Sequence, residues 1–365
     1  MADRIPFYDI PRLAASRAEA CCADLRRVLA SGRFVFGPEL AGFEAELARL
    51  VGTEHAFGVR SGTDAIILGL EALGIGPGDE VITTPFTYFA TVEAIARVGA
   101  TPVLADVEPA TLCLDPEACA AAITPRTRAV LLVHLFGHCG NLDRFLDLCR
   151  ERDLLLFEDA AQALGATWQG RALGSFGAAA SFSFYPTKNL AALGDAGAVV
   201  TSRPAAARVL AQLRRHGCDE SGRHVRWGWN SRLDEIQAAF LRRALSGLGA
   251  ETARRRELAE RYDAAFDGLV TILRPAPGCD SCRHQYAILT PERQRLRAHL
   301  AGHGVETACY YPNPVHYEPV LAGAGLSFPN AEQAAREILN LPFRPGLTDD
   351  DCDRVTGLVR EFFRR

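Results

Sequence analysis

TRAVLLVHLFGHCGNLDRFLDLCRERDLLLFED, residues 127–159, places a helical pattern between two runs that are apolar almost throughout. Such runs are typical of parallel strands that are buried on both faces. The same alternation of strand and helix patterns extends outward from about residue 51 to residue 202, where GAVVTS adds a last strand. The sequence therefore predicts an α/β fold with a mainly parallel central sheet flanked by helices.

The pattern changes after about residue 246. A long helical segment rich in arginine and glutamate, ETARRRELAERYDAAF, is followed by HQYAILT and by two further helical segments. We interpret this part as a smaller α+β domain. The predicted division gives residues 1–245 to the large domain, including an N-terminal helical segment that lies across both parts, and residues 246–365 to the small domain.

The composition is that of an ordinary soluble protein. The chain has 365 residues, 48% hydrophobic and 23% charged, which is enough for two domains with sizeable cores. A formal net charge of −4 argues against nucleic acid as a partner, because such a partner needs a basic face. No apolar run approaches the ~20 residues of a membrane span, and the first residues lack the apolar segment of a secretory signal. We therefore expect a cytoplasmic protein with no membrane partner.

The 11 cysteines are scattered, and two of them form a CxxC pair, Cys279 and Cys282, with His284 close by. A zinc ribbon needs a second pair of this kind, and the sequence has none. Metal binding at the pair stays an alternative. We favour reduced cysteines that act as small buried apolar residues.

Two stretches that follow predicted strands have residues suited to ligand binding, since ligands of open α/β sheets bind at the carboxyl ends of the strands. Ser61, Gly62 and Thr63 lie between a strand and a helix. Free amides there are able to hold an anion, although Ser-Gly-Thr is also a plain helix cap. Tyr88 follows the next strand, where its ring could stack on a flat cofactor or lie half-buried in the core.

Two carboxylates, Glu158 and Asp159, end the strand pattern LLLFED. An acid in this position is able to hold a cationic ring nitrogen, and the alternative is a cap for the following helix. Because neighbouring residues of a strand point to opposite faces, at most one of the two faces a ligand.

Lys188, in SFSFYPTKNLAALGDAGAVVT (residues 181–201), is the only lysine among the 40 basic residues, and all the others are arginine. Arginine serves wherever a surface needs positive charge, but its guanidinium stays protonated and is no nucleophile. A buried amine loses its proton more readily and forms Schiff bases with aldehydes. An anion site, a carboxylate, an aromatic ring and such a lysine at one sheet edge together describe a pyridoxal phosphate site.

Several motifs in the right order make the chain similar to a known family. They include SGRFVFGPELAGFEAELA, SGTDA, GIGPGDEVITTPFTYFAT, EDAAQALGA, SFSFYPTKNL, GDAGAVVT, WNSRLDEIQAAFLR and LNLPFRPGL. With them the chain resembles the DegT/DnrJ/EryC1/StrS family of sugar aminotransferases over nearly its whole length. The resemblance implies the fold-type-I aminotransferase architecture and pyridoxal 5′-phosphate as the cofactor.

The resemblance also implies roles for individual residues. Lys188 would form the Schiff base with the cofactor and shuttle protons, and Asp159 would pair with the pyridinium nitrogen. The other implied cofactor contacts are Gln162 near the ring hydroxyl, Tyr88 stacked on the ring, and Gly62, Thr63, Ser183 and Asn230 of the partner subunit around the phosphate. We therefore expect a homodimer with shared active sites. Some relatives have histidine in place of the lysine and act as dehydratases, so the lysine favours transamination.

The implied reaction is ping-pong, with L-glutamate as the amino donor and a keto sugar carried on a nucleoside diphosphate as the acceptor. FYPTKNL resembles the branch of the family that aminates C3 of the sugar. The branch that aminates C4 more often has histidine where this chain has Tyr185.

Three residues are candidates for substrate contact. Arg232 is the candidate for the donor's carboxylate, because guanidinium binds carboxylate bidentately, and an ion pair with Asp234 or Glu235 is the alternative. Tyr311 and His316, in CYYPNPVHYEP, are candidates for contact with the sugar or its diphosphate.

Three other functions stay open: amination at C4, a keto-cyclitol as the acceptor, and a non-catalytic regulator that merely binds the cofactor. The intact lysine, aspartate and glutamine argue against the regulator, because a binding module need not keep a proton shuttle.

Overall fold

The computed structural model describes residues 4–321 and 325–364. Within these ranges, no helix is both long and apolar enough to cross a membrane. The helices are α1 (Ile10–Ser31), α2 (Pro38–Val51), α3 (Gly62–Ala72), α4 (Ala90–Arg97), α5 (Pro116–Ala121), α6 (Leu142–Glu151), α7 (Pro204–Leu213), α8 (Glu235–Leu245), α9 (Leu248–Phe266), α10 (Arg293–Gly302), α11 (Pro329–Glu337) and α12 (Asp349–Arg364), with 3-10 turns at Leu135–Gly137 and Val315–Tyr317. The strands are β1 (His55–Val59), β2 (Glu80–Thr83), β3 (Thr101–Leu104), β4 (Thr127–Val133), β5 (Leu155–Asp159), β6 (Thr167–Trp168), β7 (Arg171–Ala172), β8 (Ala179–Ser183), β9 (Gly197–Thr201), β10 (Thr271–Ile272), β11 (Cys279–Asp280), β12 (Tyr286–Leu289) and β13 (Ile338–Leu341).

Seven strands form the central sheet, in the spatial order β1, β9, β8, β5, β4, β2, β3. The pairs from β8 to β3 are all parallel, and β9 runs antiparallel to both of its neighbours. The mainly parallel sheet predicted from the alternating pattern is therefore confirmed. Two small three-stranded sheets, β10–β12–β13 and β11–β6–β7, complete the strands of the described chain.

The central sheet is buried on both faces, which is why its strands are apolar runs rather than alternating ones. Within β4, Val130 and Leu132 belong to a core that includes side chains of α2, α6 and α8. Their neighbours Leu131 and Val133 belong to a second core that includes side chains of α3, α4 and α7. The two helical layers leave the edge formed by the strand ends open for a site.

A third core lies in the C-terminal part of the chain. It joins side chains of α9, α10 and α12 with β12 and β13, and Ile5 belongs to it as well. The amide of Ile5 donates to the carbonyl of Gly304 over 2.9 Å. The predicted division between residues 245 and 246 falls at the end of α8 and stays a prediction. The predicted division gives Ile5 to the large domain, whereas the side chain of Ile5 lies in the core of the C-terminal part.

Helix α1 joins the two parts of the chain by ion pairs. Arg17 is 2.5 Å from Glu251 of α9, and Asp24 is 2.5 Å from Arg243 of α8. The buried carboxylate of Asp24 also accepts from Arg27, and the pKa of Asp24 is lowered chiefly by its hydrogen bonds with Arg243. Helix α1 thus forms one wall of the space between the central sheet and the C-terminal core.

Candidate active site

A cavity of about 480 Å³ opens where β2, β4, β5 and β8 end. These strands are mutually parallel, so their carboxyl ends lie at one edge of the sheet and the loops that follow them form the cavity. Eight of the residues predicted from the sequence line it: Gly62, Thr63, Tyr88, Asp159, Gln162, Ser183, Lys188 and Tyr311.

Lys188 lies in the turn that follows β8, where its amide donates to the carbonyl of Tyr185 over 2.8 Å. Burial lowers the pKa of its amine to about 8, because the ammonium form loses its hydration, and the nearby charge of Asp159 opposes this shift. An amine with this pKa is partly unprotonated near neutral pH. It is therefore able to act both as a nucleophile and as a proton carrier.

Asp159, the last residue of β5, is one of two carboxylates that line the cavity, and Asp195 is the other. Its Oδ2 accepts from the hydroxyl of Thr91 over 3.0 Å, and its Oδ1 accepts from the amide of Ala161 over 3.2 Å. Burial raises the pKa of Asp159, although these hydrogen bonds and the charge of Lys188 act in the opposite direction. A carboxylate held in this way gains strongly from a cationic partner in the cavity.

Glu158 points away from the cavity and connects the end of β5 to a neighbouring loop and to His134 by hydrogen bonds. Its carboxylate accepts from the backbone amides of Gly174, Phe176 and Gly177, each over 2.7 Å, and lies 2.9 Å from Nε2 of His134. Although burial opposes ionisation, the hydrogen bonds with His134 and the amides lower the pKa of Glu158. The two carboxylates at the end of β5 therefore have separate environments.

The first turn of α3 forms one end of the cavity. Ser61 caps the helix, with its hydroxyl accepting from the amide of Asp64 over 3.1 Å, so the cap interpretation holds for this residue. Gly62 and Thr63 begin the helix and line the cavity. A Cβ on Gly62 would lie 2.7 Å from Cβ of Ser183, so only glycine lets the helix start this close to β8. The positive end of α3 and the hydroxyl of Ser183 therefore meet in one place, which suits a phosphate.

Gln162 and the two tyrosines form the opposite wall. The side-chain oxygen of Gln162 accepts from the amide of Phe136 over 2.7 Å, and its nitrogen donates to the hydroxyl of Tyr311 over 3.1 Å. The rings of Tyr88 and Tyr311 have centroids 6.3 Å apart. Tyr88 is 64% exposed, so the core interpretation does not hold, and its ring face is available to a ligand.

Asn230 and Arg232 do not line the cavity of their own subunit. They lie in the segment before α8, and Arg232 donates to the side-chain oxygen of Asn230 over 2.5 Å. Arg232 has no ion pair with Asp234 or Glu235 among the described residues. The carboxylate of Glu235 instead accepts from three backbone amides at the start of α2. The alternative role of Arg232, an ion pair with Asp234 or Glu235, is thus not observed. Contact of Arg232 with the donor stays a prediction.

His316 also lies outside the cavity. It is buried in the 3-10 turn at Val315–Tyr317, with Nε2 3.2 Å from the carboxylate of Glu332 and its ring against Phe328. This chain therefore does not bring His316 to the cavity together with Tyr311, although both belong to one sequence motif.

The CxxC pair lies next to the site. Cys282 Sγ is 3.3 Å from the carbonyl of Gln162, and Cys279 Sγ accepts from the amide of Cys139 over 3.4 Å. Among residues 4–321 and 325–364, no group of three histidine, cysteine or acidic side chains is placed to hold a metal ion. His284 lines the cavity, and its Nδ1 is hydrogen-bonded to the side-chain oxygen of Asn189.

Sequence reasoning missed several lining residues, of which His134 and Thr91 matter most. His134 ends the run TRAVLLVH, so the rule that selected Asp159 at the end of a strand would have selected it as well. Thr91, which fixes Asp159, lies in the first turn of α4 and had no comparable signal. Tyr8 and His284 reach the cavity from distant parts of the sequence.

Comparison with known proteins decides the family. The model of the DegT/DnrJ/EryC1/StrS aminotransferase family matches residues 16–360. The chain belongs to this family. It is 45% identical over 367 residues to the dTDP-3-amino-3,4,6-trideoxy-alpha-D-glucose transaminase of Streptomyces venezuelae, with 99% of this chain and 97% of the relative covered. It is 39% identical over 358 residues to the UDP-N-acetyl-3-dehydro-alpha-D-glucosamine 3-aminotransferase of Acidithiobacillus ferrooxidans, with 98% and 97% covered.

A solved structure gives the same answer. The crystal structure of S. venezuelae DesV in complex with a ketimine intermediate superposes with a TM-score of 0.97 at 44% identity and covers 100% of both chains. The predicted family and fold class are therefore confirmed, and the protein is an aminotransferase.

The cofactor of this aminotransferase is pyridoxal 5′-phosphate. The residues present fit it: the start of α3 with Ser183 suits the phosphate, Asp159 suits a cationic ring nitrogen, and Lys188 suits the aldehyde. The contact of each residue with the cofactor is a proposal that rests on this fit.

The pKa of Lys188 leads to a pH-dependent prediction. When the apoenzyme is mixed with pyridoxal phosphate for a fixed short time and reduced with borohydride, the labelled fraction should rise with pH and reach half its maximum near 8. Below its pKa the amine carries a proton and has no free electron pair, and the lowered value moves the change down from 10.5. Mass spectrometry with peptide mapping measures the label.

The control for this experiment is Lys188→Ala, which should fold and take up no label. A half-maximum near 10.5, the ordinary value for lysine, would contradict the buried amine. Label on any residue other than Lys188 would contradict its assignment.

Asp159→Asn should reduce kcat/KM by about 30- to 1000-fold, which corresponds to about 2 to 4 kcal/mol. The amide fills the same space but cannot stabilise a positive charge on the ring nitrogen, so cofactor affinity should fall much less than activity. Steady-state kinetics and a pyridoxal phosphate titration measure the two effects. Turnover within a few-fold of wild type would show that the wrong carboxylate was chosen. Glu158→Gln is the matched variant. Because the carboxylate of Glu158 accepts hydrogen bonds from three backbone amides, this substitution should mainly lower the stability of the protein.

Proposed function

We propose that this aminotransferase moves an amino group from L-glutamate to C3 of a keto sugar carried on a nucleoside diphosphate. The observation that carries the proposal is the full-length similarity to two 3-amino-sugar enzymes, one named for a dTDP sugar and one for a UDP sugar. Lys188 and Asp159 line one cavity in this chain, so the residues that transamination needs are present. Tyr185 also lines the cavity, at the position where the C4-aminating branch more often has histidine.

The residues of the chain have distinct tasks in this reaction. Pyridoxal phosphate, when bound, withdraws electrons from the carbon that carries the amino group. Lys188 Nζ would take a proton from that carbon and deliver one to the cofactor carbon that had held the aldehyde, so that the amino group changes carrier; a pKa of about 8 permits the amine to accept and to donate the proton. Asp159 would hold the positive charge of the ring nitrogen, with Thr91 and the Ala161 amide fixing its orientation.

A half-reaction series tests the proposed substrates. L-glutamate added to the holoenzyme should replace the visible absorbance of the cofactor by that of its pyridoxamine form, with release of one 2-oxoglutarate per site. The aminated enzyme should then regain the original spectrum with a 3-keto nucleotide sugar. It should react much more slowly with a 4-keto nucleotide sugar or a keto-cyclitol. Faster recovery with either of these would replace the C3 assignment, and no response to any amino donor would favour the regulator.

We also propose a homodimer in which Asn230 serves the active site of the partner subunit. The segment before α8 supports this, because it exposes Asn230 beside two large apolar side chains, Trp227 (97% exposed) and Val225 (51%). Exposed apolar groups of this size are typical of a surface that a second chain covers. Phe34 and Phe36, next to α2, add to this exposed apolar surface.

Mixing two impaired variants tests the shared site. Subunits with Lys188→Ala and subunits with Asn230→Asp are combined in equal amounts and allowed to exchange. Asn230→Asp should weaken cofactor binding, because a carboxylate would then face the phosphate. In a mixed dimer with shared sites, one site has both lesions and the other has none, so about a quarter of all sites should be wild-type.

The readout is activity at a low concentration of pyridoxal phosphate, where the Asn230→Asp variant is weakest. Activity should rise well above the average of the two pure variants. Mass spectrometry confirms that subunits have exchanged. If activity stays at that average after exchange, Asn230 serves its own subunit and the shared site is wrong.

A further inference from the structure

The segment that contains the CxxC pair packs against the loop that follows β4. The amide of Cys282 donates to the carbonyl of Gly137 over 3.0 Å, and the amide of Ala276 donates to the carbonyl of Cys139 over 3.4 Å. These backbone hydrogen bonds hold the segment beside the loop, so the side chains between them have fixed neighbours.

The packing pairs Cys279 with Cys139 and not with Cys282, its partner in the CxxC motif. The amide of Cys139 donates to Sγ of Cys279 over 3.4 Å, and the thiol of Cys139 is hydrogen-bonded to the same sulfur. The thiol of Cys282 donates instead to the carbonyl of Gln162 over 3.3 Å. The two adjacent sulfurs thus belong to separate segments of the chain.

The two sulfurs of this pair have different environments. Cys139 is fully buried, whereas Cys279 is partly exposed and lies between two exposed residues, Gly278 and Asp280. Hydrogen bonding from Cys139 lowers the pKa of Cys279, although burial opposes the shift, and the same interaction raises the pKa of Cys139. Burial raises the pKa of Cys282 to about 12, so that this residue stays a thiol. Because the thiolate is the nucleophilic form, Cys279 is the first of the three to react.

We propose that Cys279 and Cys139 form a reversible oxidation site, at which hydrogen peroxide converts the two thiols into a disulfide bond. The Cys279 thiolate attacks one oxygen of the peroxide. An S–O bond forms, the O–O bond breaks, and the other oxygen leaves as water with the proton that the thiol had released. The sulfur of Cys139 then loses its proton and attacks the sulfur of Cys279, so that the S–S bond forms, the S–O bond breaks and a second water leaves. The two sulfurs supply the two electrons that reduce the peroxide, and a dithiol reverses the reaction by becoming a disulfide itself.

The bond would restrain one wall of the active site without entering the cavity. Phe136, in the loop after β4, donates its amide to the side-chain oxygen of Gln162, and its carbonyl accepts from the amide of His284 over 2.9 Å. Gln162 and His284 line the cavity, whereas Cys139 and Cys279 do not. A bond between the loop and the segment therefore fixes these two wall residues relative to each other.

Peptide mapping of the oxidised holoenzyme tests the proposal and does not depend on the proposed substrates. The reduced protein is treated with hydrogen peroxide, its remaining thiols are alkylated under denaturing conditions, and it is digested without a reductant. Mass spectrometry should find the peptides of Cys139 and Cys279 joined, with a mass lower than their sum by the two thiol hydrogens. Dithiothreitol should separate them. A link between Cys279 and Cys282, or no link to Cys279 at all, would overturn the proposal.

Cys119 and Cys149 are the matched control within the same chain. They too are neighbours, but both are buried, and burial raises the pKa of each thiol to about 12. Proximity without a stabilised thiolate is not enough, so this pair should be oxidised at least about tenfold more slowly than Cys279. If the two pairs are oxidised at the same rate, hydrogen bonding from Cys139 has no special role and the proposal is wrong.

Two variants assign the order of the steps. In Cys139→Ser, peroxide should still oxidise Cys279, which then stays a sulfenic acid that dimedone traps. In Cys279→Ser, Cys139 should stay reduced, because the reactive thiolate is absent. Trapping of dimedone on Cys139 in this second variant would reverse the assignment. Position 279 is partly exposed, so this variant and the wild-type map decide the matter even if the substitution at the buried position 139 prevents folding.

The pH dependence of alkylation gives an independent readout in the wild-type protein. The rate at which iodoacetamide labels Cys279 should reach half its maximum below pH 9, the ordinary value for cysteine, because hydrogen bonding from Cys139 stabilises the thiolate. The charged groups that face Cys279 act in opposite directions, since Asp280 raises the pKa and Arg283 lowers it. A half-maximum at or above pH 9 would contradict the stabilised thiolate and with it the proposed site.

Discussion

The alternation of side chains at the end of β5 sends two consecutive buried carboxylates to opposite faces, and the site depends on that separation. Glu158 holds three amides of the loop at residues 174–177 and the imidazole of His134. It thereby fixes the strand end from behind. Asp159 is left to face the cavity, and among the residues that the structure describes its carboxylate accepts from Thr91, from the Ala161 amide and, more weakly, from Ser181. A shift of one residue in this strand would exchange the two roles.

Parallel pairing of the neighbouring strands with β5 positions the rest of the site relative to Asp159. β4 and β5 are in register from Ala129 and Leu155 to Val133 and Asp159, so His134 emerges beside Asp159. β8 pairs with β5 on the other side and ends at Ser183, which brings the turn with Lys188 to the same edge. Strand ends that lie far apart in the sequence thus form one cavity. The amine and the carboxylate in it perturb each other's pKa because both are desolvated.

The sequence predicted the parts of the site that follow directly from a strand or from a rare residue type. Asp159 ends an apolar run, Gly62 starts a helix after another, and Lys188 is unique in the chain. It could not predict contacts that depend on how loops fold over the sheet, such as Thr91 on Asp159 or Tyr311 on Gln162. His316 was predicted to contact the substrate because it shares a motif with Tyr311, but its ring contacts Glu332 outside the cavity. Contacts made by a second subunit, as predicted for Asn230, are not encoded in the pattern of a single chain.

All lysine and arginine positions of the chain except Lys188 are arginine, and the chemistry of this site gives a reason for that choice. Four arginines, Arg12, Arg17, Arg255 and Arg344, line a second cavity that shares Lys188 with the first, and an aldehyde-bearing cofactor is the proposed ligand of the first cavity. A lysine in place of Arg255 or Arg344 would be a second amine in a cavity that Lys188 also lines, and desolvation, which lowers the pKa of both arginines, would lower its pKa as well. Guanidinium supplies the same charge and holds carboxylate better, but it stays protonated and does not form a Schiff base. With arginine at these positions, Lys188 stays the only side-chain amine of the chain that can react with an aldehyde.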